Sequence, residues 1–176
     1  MCPTRRPKPL CSTTPRSFWP ALALALALAG IQAAHAAAPA PLPAFSIQAL
    51  DGSAVSTSTW PLQGKSLLIY VEGNCQPCAT LLGRLLKKDY PQLATHAIII
   101  VGGAGPVGAK SVQQLYPDLS SAAWYADPSR AALSALNLQG APVTMGLNGK
   151  VVQWSWSGVM PDAARLRSVL NSWCGK

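Results

Sequence analysis

The chain has 176 residues, room for one domain with a sizeable core. Its 49% hydrophobic content is ordinary for a folded protein, and no acidic or basic block marks a disordered tail. The formal charge of +8 overstates its basicity: four cations fall in the first 16 residues, and the rest carries ten Lys/Arg against six Asp/Glu, a scattered +4 that does not argue for nucleic acid.

Residues 1–36 read as a cleavable secretory signal. Arg5, Arg6, Lys8 and Arg16 form a basic n-region, Ala21 to Ile31 is the apolar run, and Ala34-His35-Ala36 matches the small-x-small cleavage pattern. Cleavage after Ala36 is expected in preference to an uncleaved anchor, because the strongly apolar part is short for a membrane span. Arg5-Arg6 suggests a twin-arginine route, but Pro7 follows and the rest of that motif is missing. Removal of the signal takes Cys2 and Cys11 with it. Cys75, Cys78 and Cys174 remain, in an exported, oxidising compartment, the periplasm.

Residues 37–43 are a Pro/Ala linker without a packing pattern, expected to be mobile or extended. The domain is expected over 44–176. Phe45 to Leu50 alternates, Asp51-Gly52 turns and Ala54 to Thr57 alternates again, a hairpin signal. Leu67-Leu68-Ile69-Tyr70-Val71 is a continuous apolar run, expected as a strand buried on both faces. After Gly73-Asn74-Cys75-Gln76-Pro77-Cys78, the residues Cys78, Leu81, Leu82, Leu85 and Leu86 make one helical stripe, so a helix is expected from Pro77 to about Lys88 or Tyr90, with Pro91 as its stop.

His96 to Val101 reads as a second buried strand ended by Gly102-Gly103. A weaker helical pattern runs from Val107 to Tyr116, and Ala123 to Ala126 is a short strand. Asp127-Pro128 predicts an N-cap with proline at the first helical position, hence a helix from Pro128 to Leu136. Val143 to Leu147 and Lys150 to Trp156 flank Asn148-Gly149, the strongest two-residue hairpin signal. Pro161 to Trp173 closes the chain as a helix, with Ala164, Leu166, Val169, Leu170 and Trp173 inward. The order predicts an α/β fold, a mixed sheet covered by helices on both faces.

The two cysteines therefore stand where a buried strand ends and a helix begins. A thiol there faces unpaired backbone N–H groups and the positive end of the helix dipole, which stabilise its thiolate. An adjacent pair closes almost no loop, so it is a poor folding staple. A structural disulfide or half of a metal site stays open as an alternative. A zinc site would want another Cys/His pair at suitable spacing, and only His96 and Cys174 remain; a copper site would use Cys75, Cys78 and His96. His96 is more simply a capping or surface histidine, and Trp154 and Trp156, on one strand face, are more simply packing.

Three separated features make the chain resemble the thioredoxin superfamily, and within it the exported TlpA-like redoxins. They are Cys75-Gln76-Pro77-Cys78 at a strand-to-helix junction, Gly140-Ala141-Pro142-Val143-Thr144 followed by the Asn148-Gly149 hairpin, and the leading hairpin over Phe45 to Lys65. The resemblance covers about Phe45 to Trp173. It implies a thioredoxin fold with an N-terminal β-hairpin extension, and a thiol–disulfide oxidoreductase using no cofactor beyond its own dithiol and no metal. Cys75 would be the exposed nucleophile and Cys78 the buried resolving thiol. Pro142 would be the cis-proline against the disulfide, with Ala141, Gln76 and Pro77 meeting the substrate peptide.

Two departures bear on the chemistry. Gly73-Asn74 stands where an aromatic residue often precedes the first cysteine, and Ile69 stands where many thioredoxins carry a buried acid. Glu72 is the nearest replacement as a proton relay, although strand alternation points it to the opposite face from Ile69. Neither Gln76 nor Pro77 can add a cation beside the thiolate, which favours a reductase or isomerase, kept reduced by a membrane electron donor and acting on exported proteins. The rival reading is a thioredoxin-like binding module of an envelope secretion or conjugation apparatus, to which Cys174 and the Gly73-Asn74 approach would contribute.

Overall fold

A computed structural model describes residues 38–174 of this chain apart from 86–88 and 91. The strands are β1 (Ala40–Pro41), β2 (Ser46–Ala49), β3 (Ala54–Ser56), β4 (Lys65–Glu72), β5 (Ala97–Gly102), β6 (Ala123–Asp127), β7 (Val143–Asn148) and β8 (Val151–Ser157). The helices are α1 (Gln76–Arg84), α2 (Leu93–His96), α3 (Pro106–Gln114), α4 (Ala131–Ala135) and α5 (Ala163–Cys174). Among the described residues, eight strands form one mixed sheet in the order β1-β8-β7-β4-β5-β6-β2-β3. The pairs β4–β5 and β5–β6 are parallel and the others antiparallel. This is the expected mixed α/β architecture with a leading hairpin.

The apolar run places β4 at the centre. Ser66 through Val71 is buried without interruption, because both faces of the strand are covered. Leu67, Ile69 and Val71 pack with Cys78, Leu81 and Leu82 of α1 and with Leu166 and Leu170 of α5. Leu68 and Tyr70 point the other way, to Phe45, Ile47, Trp60, Met145 and Ala132 of α4. A fully buried Leu or Ile contributes about 1.5–3 kcal/mol. The five consecutive apolar positions therefore anchor this strand more firmly than any local propensity could. Strand alternation thus divides the core into two halves, one of which holds the second cysteine.

Several boundaries differ from expectation. The linker is extended but not unpartnered: Ala40 and Pro41 pair with Val152 and Val151 on the sheet edge, and Pro43 accepts the Thr57 hydroxyl at 3.1 Å. Pro41 is tolerated there because an edge strand has one side free of ladder hydrogen bonds. Helix α1 ends at Arg84, not near Lys88, since Leu85 leaves helical dihedrals (φ −88°, ψ 59°) and its N–H turns back to Leu82 at 3.0 Å. Leu86, Lys87, Lys88 and Pro91 lie outside the described residues, as do the signal segment 1–36 with its cleavage point and residues 175–176.

His96 does not open β5; it closes α2, with Nδ1 2.9 Å from the Gln92 carbonyl oxygen. Helix α4 begins at Ala131, not Pro128, after Arg130 in the left-handed region (φ 57°, ψ 34°). Asp127 still does the capping, from farther back: its fully buried carboxylate accepts from Ala131 N at 2.7 Å and Ala132 N at 2.9 Å. In α5, Leu166 and Leu170 are buried and Val169 and Trp173 half-buried, whereas Ala164 is exposed. Ala164 lies in the first turn, whose N–H groups are met by Asp162 instead of by the sheet.

Candidate active site

Cys75 and Cys78 form a disulfide with an S–S distance of 2.07 Å. The helix begins one residue earlier than expected, at Gln76, so Cys75 is its N-cap and Pro77 falls within the first turn. The Cys75 sulfur accepts the Cys78 backbone N–H at 3.1 Å. A helix N-cap normally offers oxygen to these orphan donors. Here sulfur takes that place, and after reduction the same N–H and the helix dipole would favour a thiolate at Cys75.

The two sulfurs are not equivalent. Cys75 is half-buried, with Gly73, Asn74, Gln76 and Pro77 exposed around it, whereas Cys78 is only 2% exposed and belongs to the core. Cys78 Sγ accepts the Glu72 backbone N–H at 3.5 Å. Across from the helix, the Ala141 carbonyl oxygen lies 3.7 Å from Cys75 Sγ, and the Ala141–Pro142 peptide bond is cis. Pro142 is buried, and its carbonyl accepts the Gly158 N–H at 2.7 Å. Gln76, Pro77, Cys75, Cys78, Ala141 and Pro142, separated by more than sixty residues in sequence, thus meet at one end of the sheet.

Glu72 points elsewhere. Its carboxylate makes an ion pair with Arg130, Oε1 to Nε 3.1 Å, on the α4 side of the sheet. Ile69 is 1% exposed within the α1-side core, so no acid stands at that position. Arg130 joins this region from the β6–α4 turn, with no sequence signal that places it there. Its left-handed backbone costs roughly 1–2 kcal/mol for a residue with a Cβ, and glycine or asparagine would suit it better. Its guanidinium lies over Gly103, where a Cβ would come within 3.1 Å of Nη2. The sequence signal was local only, an Asp-Pro-Ser-Arg turn before a helix, with nothing to announce a partner 58 residues upstream.

Tyr70, two residues before Glu72 on the same strand face, is fully buried and its hydroxyl has no hydrogen-bond partner. Burial first, then the nearby Asp127 and Glu72 charges, push its phenol up to about 12. Among the described residues, no group of three or more His, Cys, Asp or Glu is placed to hold a metal ion. His96 sits at the opposite end of β5 from Gly102, the residue that pairs with Glu72, so it does not join the cysteines.

Cys174 is a free, half-buried thiol at the end of α5. Burial raises its pKa and the Lys65 cation opposes this in part, so the thiol stays protonated at neutral pH. In the native oxidised chain, iodoacetamide is expected to alkylate Cys174 slowly at pH 7, faster only above the ordinary thiol range, and rapidly in urea. Peptide-resolved mass spectrometry reads this. Fast labelling of the native chain at pH 7 would contradict the protonated assignment. Trp154 and Trp156 are packing residues: Trp154 meets Trp173 edge-on at 5.7 Å, and the Arg165 guanidinium covers Trp156 at 5.6 Å.

No protein-family model matches this sequence, and no curated protein matches it either. Solved structures do resemble it in shape. The structure of MTB DsbF in mixed oxidised and reduced forms superposes with a TM-score of 0.59 at 17% identity, covering 78% of this chain and 99% of that one. A secreted Mycobacterium tuberculosis disulfide oxidoreductase homologous to E. coli DsbE gives 0.58 at 14% identity, covering 73% and 95%. A thiol:disulfide interchange protein of the thioredoxin family from Chlorobium tepidum gives 0.58 at 16% identity, covering 79% and 99%. At these identities the likeness establishes the fold. The chain has the thioredoxin fold.

Proposed function

We propose that this protein is an exported thiol–disulfide oxidoreductase that exchanges disulfides with periplasmic proteins through Cys75 and Cys78. One observation carries the reading: a half-exposed sulfur at a helix N-cap is bonded to a core sulfur three residues on, with the Ala141 carbonyl beside it. The similar solved structures of a disulfide oxidoreductase and a thiol:disulfide interchange protein support the same chemistry.

In the reducing direction the reduced Cys75 thiolate attacks a substrate disulfide. A bond forms between Cys75 Sγ and one substrate sulfur, while the other leaves as a thiolate and takes a proton from water. Cys78 then loses its proton and attacks Cys75 Sγ. The Cys75–Cys78 bond forms and the second substrate sulfur departs, so two electrons have passed to the substrate. Ala141, Gln76 and Pro77 would meet the substrate chain, and Pro142 would hold its loop against the sulfurs. An electron donor at the membrane would reduce the disulfide again.

The lean towards reductase or isomerase rests on Gln76 and Pro77, neither of which can add a cation to stabilise the thiolate. Insulin reduction by the dithiothreitol-primed protein, with a Cys75→Ser control, is expected to show turnover that the control lacks. A titration against glutathione would give the potential of the couple. Equal rates for the protein and its Cys75→Ser control would overturn the enzyme reading and leave a thioredoxin-fold binding module.

A further inference from the structure

Two facts about Glu72 stand together. Its backbone N–H is held by Cys78 Sγ at 3.5 Å, and its carboxylate is held by Arg130 at 3.1 Å. The residue in contact with the core sulfur thus carries a negative charge, and a cation from the β6–α4 turn covers that charge. A thiolate forming at Cys78 would be opposed by a bare carboxylate on the adjoining residue. Arg130 keeps its place in spite of a left-handed backbone. Its capping function is already served by Asp127. What the arginine side chain adds at this position is the ion pair.

We propose that Arg130 is a positioning residue for the dithiol: by pairing with Glu72 it draws the carboxylate to the α4 side and cancels its charge, so that Cys78 can ionise when it resolves the mixed disulfide. This rests on the thiol–disulfide reading given above. Glu72 is then a charge to be neutralised and not an acceptor of the Cys78 proton, because its carboxylate is committed to the guanidinium on the opposite face of β4 from Cys78. That proton goes to water.

The surroundings of Cys78 make the pair matter. Its packing partners are apolar. The charged and titratable groups on the elements packed around Cys78 are Glu72 on β4, Arg130 and Asp127 at the β6–α4 turn, the buried Tyr70 phenol, Arg84 on α1, Lys110 on α3, and Arg165 and Arg167 on α5. Asp127 spends its charge on two helix N–H groups, and Tyr70 is neutral in the physiological range. The segments 102–105 and 140–142 that flank the cysteines carry no charge at all. Of the charged groups, Glu72 is the residue whose backbone N–H touches Cys78 Sγ, and its charge is the one that Arg130 covers. Because the pair is partly exposed, 55% at Arg130 and 31% at Glu72, its effect is screened and should shrink in high salt.

The test compares Arg130→Gln, Glu72→Gln and the double variant in the full chain. Cys78 ionisation is read as the pH-dependent thiolate absorbance of a Cys75→Ser background minus that of Cys75→Ser/Cys78→Ser. Resolution is read as release of a thiol from a preformed Cys75 mixed disulfide across pH. Arg130→Gln is expected to move the Cys78 titration to higher pH, about tenfold in its ionisation constant. Part of the lost thiolate is offset by higher intrinsic nucleophilicity, so resolution below the titration point slows by about threefold. At a pH above both titrations the tenfold change corresponds to about 30 mV towards a more reducing couple, and well below them the potential should not move.

Glu72→Gln should shift both readouts the opposite way, the double variant should return near the parent, and Arg130→Lys should rescue in part. A proton relay through Glu72 predicts the reverse: slower resolution in Glu72→Gln and faster in Arg130→Gln, where the carboxylate is freed. Arg130→Gly removes the same cation at a backbone position that glycine prefers, so it reports even if Arg130→Gln folds poorly. An unmoved Cys78 titration in both Arg130 variants, or the relay pattern, overturns the proposal. Since that titration needs no substrate, a protein without turnover would sink the enzyme reading while leaving this result interpretable.

Discussion

A Cys78→Ser variant is expected to accumulate as covalent adducts with exported proteins, visible on non-reducing gels and released by dithiothreitol. Cys75 keeps its N-cap position and the Cys78 backbone N–H that supports its thiolate, because that donor belongs to the main chain. The first exchange therefore proceeds. The second loses its nucleophile. An internal thiol held against the mixed disulfide acts at an effective concentration far above that of thiols in solution, so its loss should lengthen the adduct lifetime by at least on the order of 10²-fold. Cys75→Ser should form no adducts, and Cys75→Ser/Cys78→Ser likewise. If Cys75→Ser and Cys78→Ser trapped partners equally, the assignment of Cys75 as the attacking sulfur would fail. The burial difference between the two cysteines makes this asymmetry a structural expectation and not a convention.

The core of this site was legible because it is written in short-range patterns. A continuous apolar run marks a strand covered on both faces, and the Leu81/Leu82 spacing marks the buried stripe of α1. Between them the two cysteines have nowhere to sit but the junction. Asn148-Gly149 fixed the β7–β8 hairpin in the same way, since only certain residues accept its turn geometry. The Pro142 loop was placed by resemblance, which no local periodicity could have supplied.

What escaped the sequence depends on distant partners. Ala40 and Pro41 carry no strand pattern and pair only because β8 offers an open edge. The end of α1 at Arg84 coincides with the bond from its guanidinium to the Met160 carbonyl at 2.7 Å, a contact spanning 76 residues. In sequence, Asp127-Pro128 has the form of an N-cap followed by the first helical residue. The carboxylate does cap, but three intervening residues make a turn that swings Arg130 over Gly103 to Glu72. The acid nearest the dithiol was visible; the cation that governs its charge was not.

The second large effect concerns the strand end that supports Glu72. Gly102 pairs with Glu72 across β4 and β5, and a Cβ built on it would fall 1.9 Å from the Tyr70 hydroxyl oxygen and 2.4 Å from Cζ. Tyr70 fills the space that a side chain at 102 would need. It cannot swing aside, because it is fully buried among Phe45, Trp60 and Met145. Gly102→Ala is therefore expected to destabilise the oxidised protein by about 3 kcal/mol, at the upper end of ordinary overpacking. Urea unfolding would show it as a lower midpoint with an unchanged slope. Tyr70→Phe alone should be neutral or stabilising by about 1 kcal/mol, since it removes a buried hydroxyl that has no partner. Gly102→Ala combined with Tyr70→Leu should be less unstable than the sum of its two parts, because the new methyl occupies part of the space that the shortened side chain vacates. A Gly102→Ala protein as stable as the parent would show that the Tyr70 ring relaxes, and the β4–β5 end beneath the dithiol would then be softer than its packing implies.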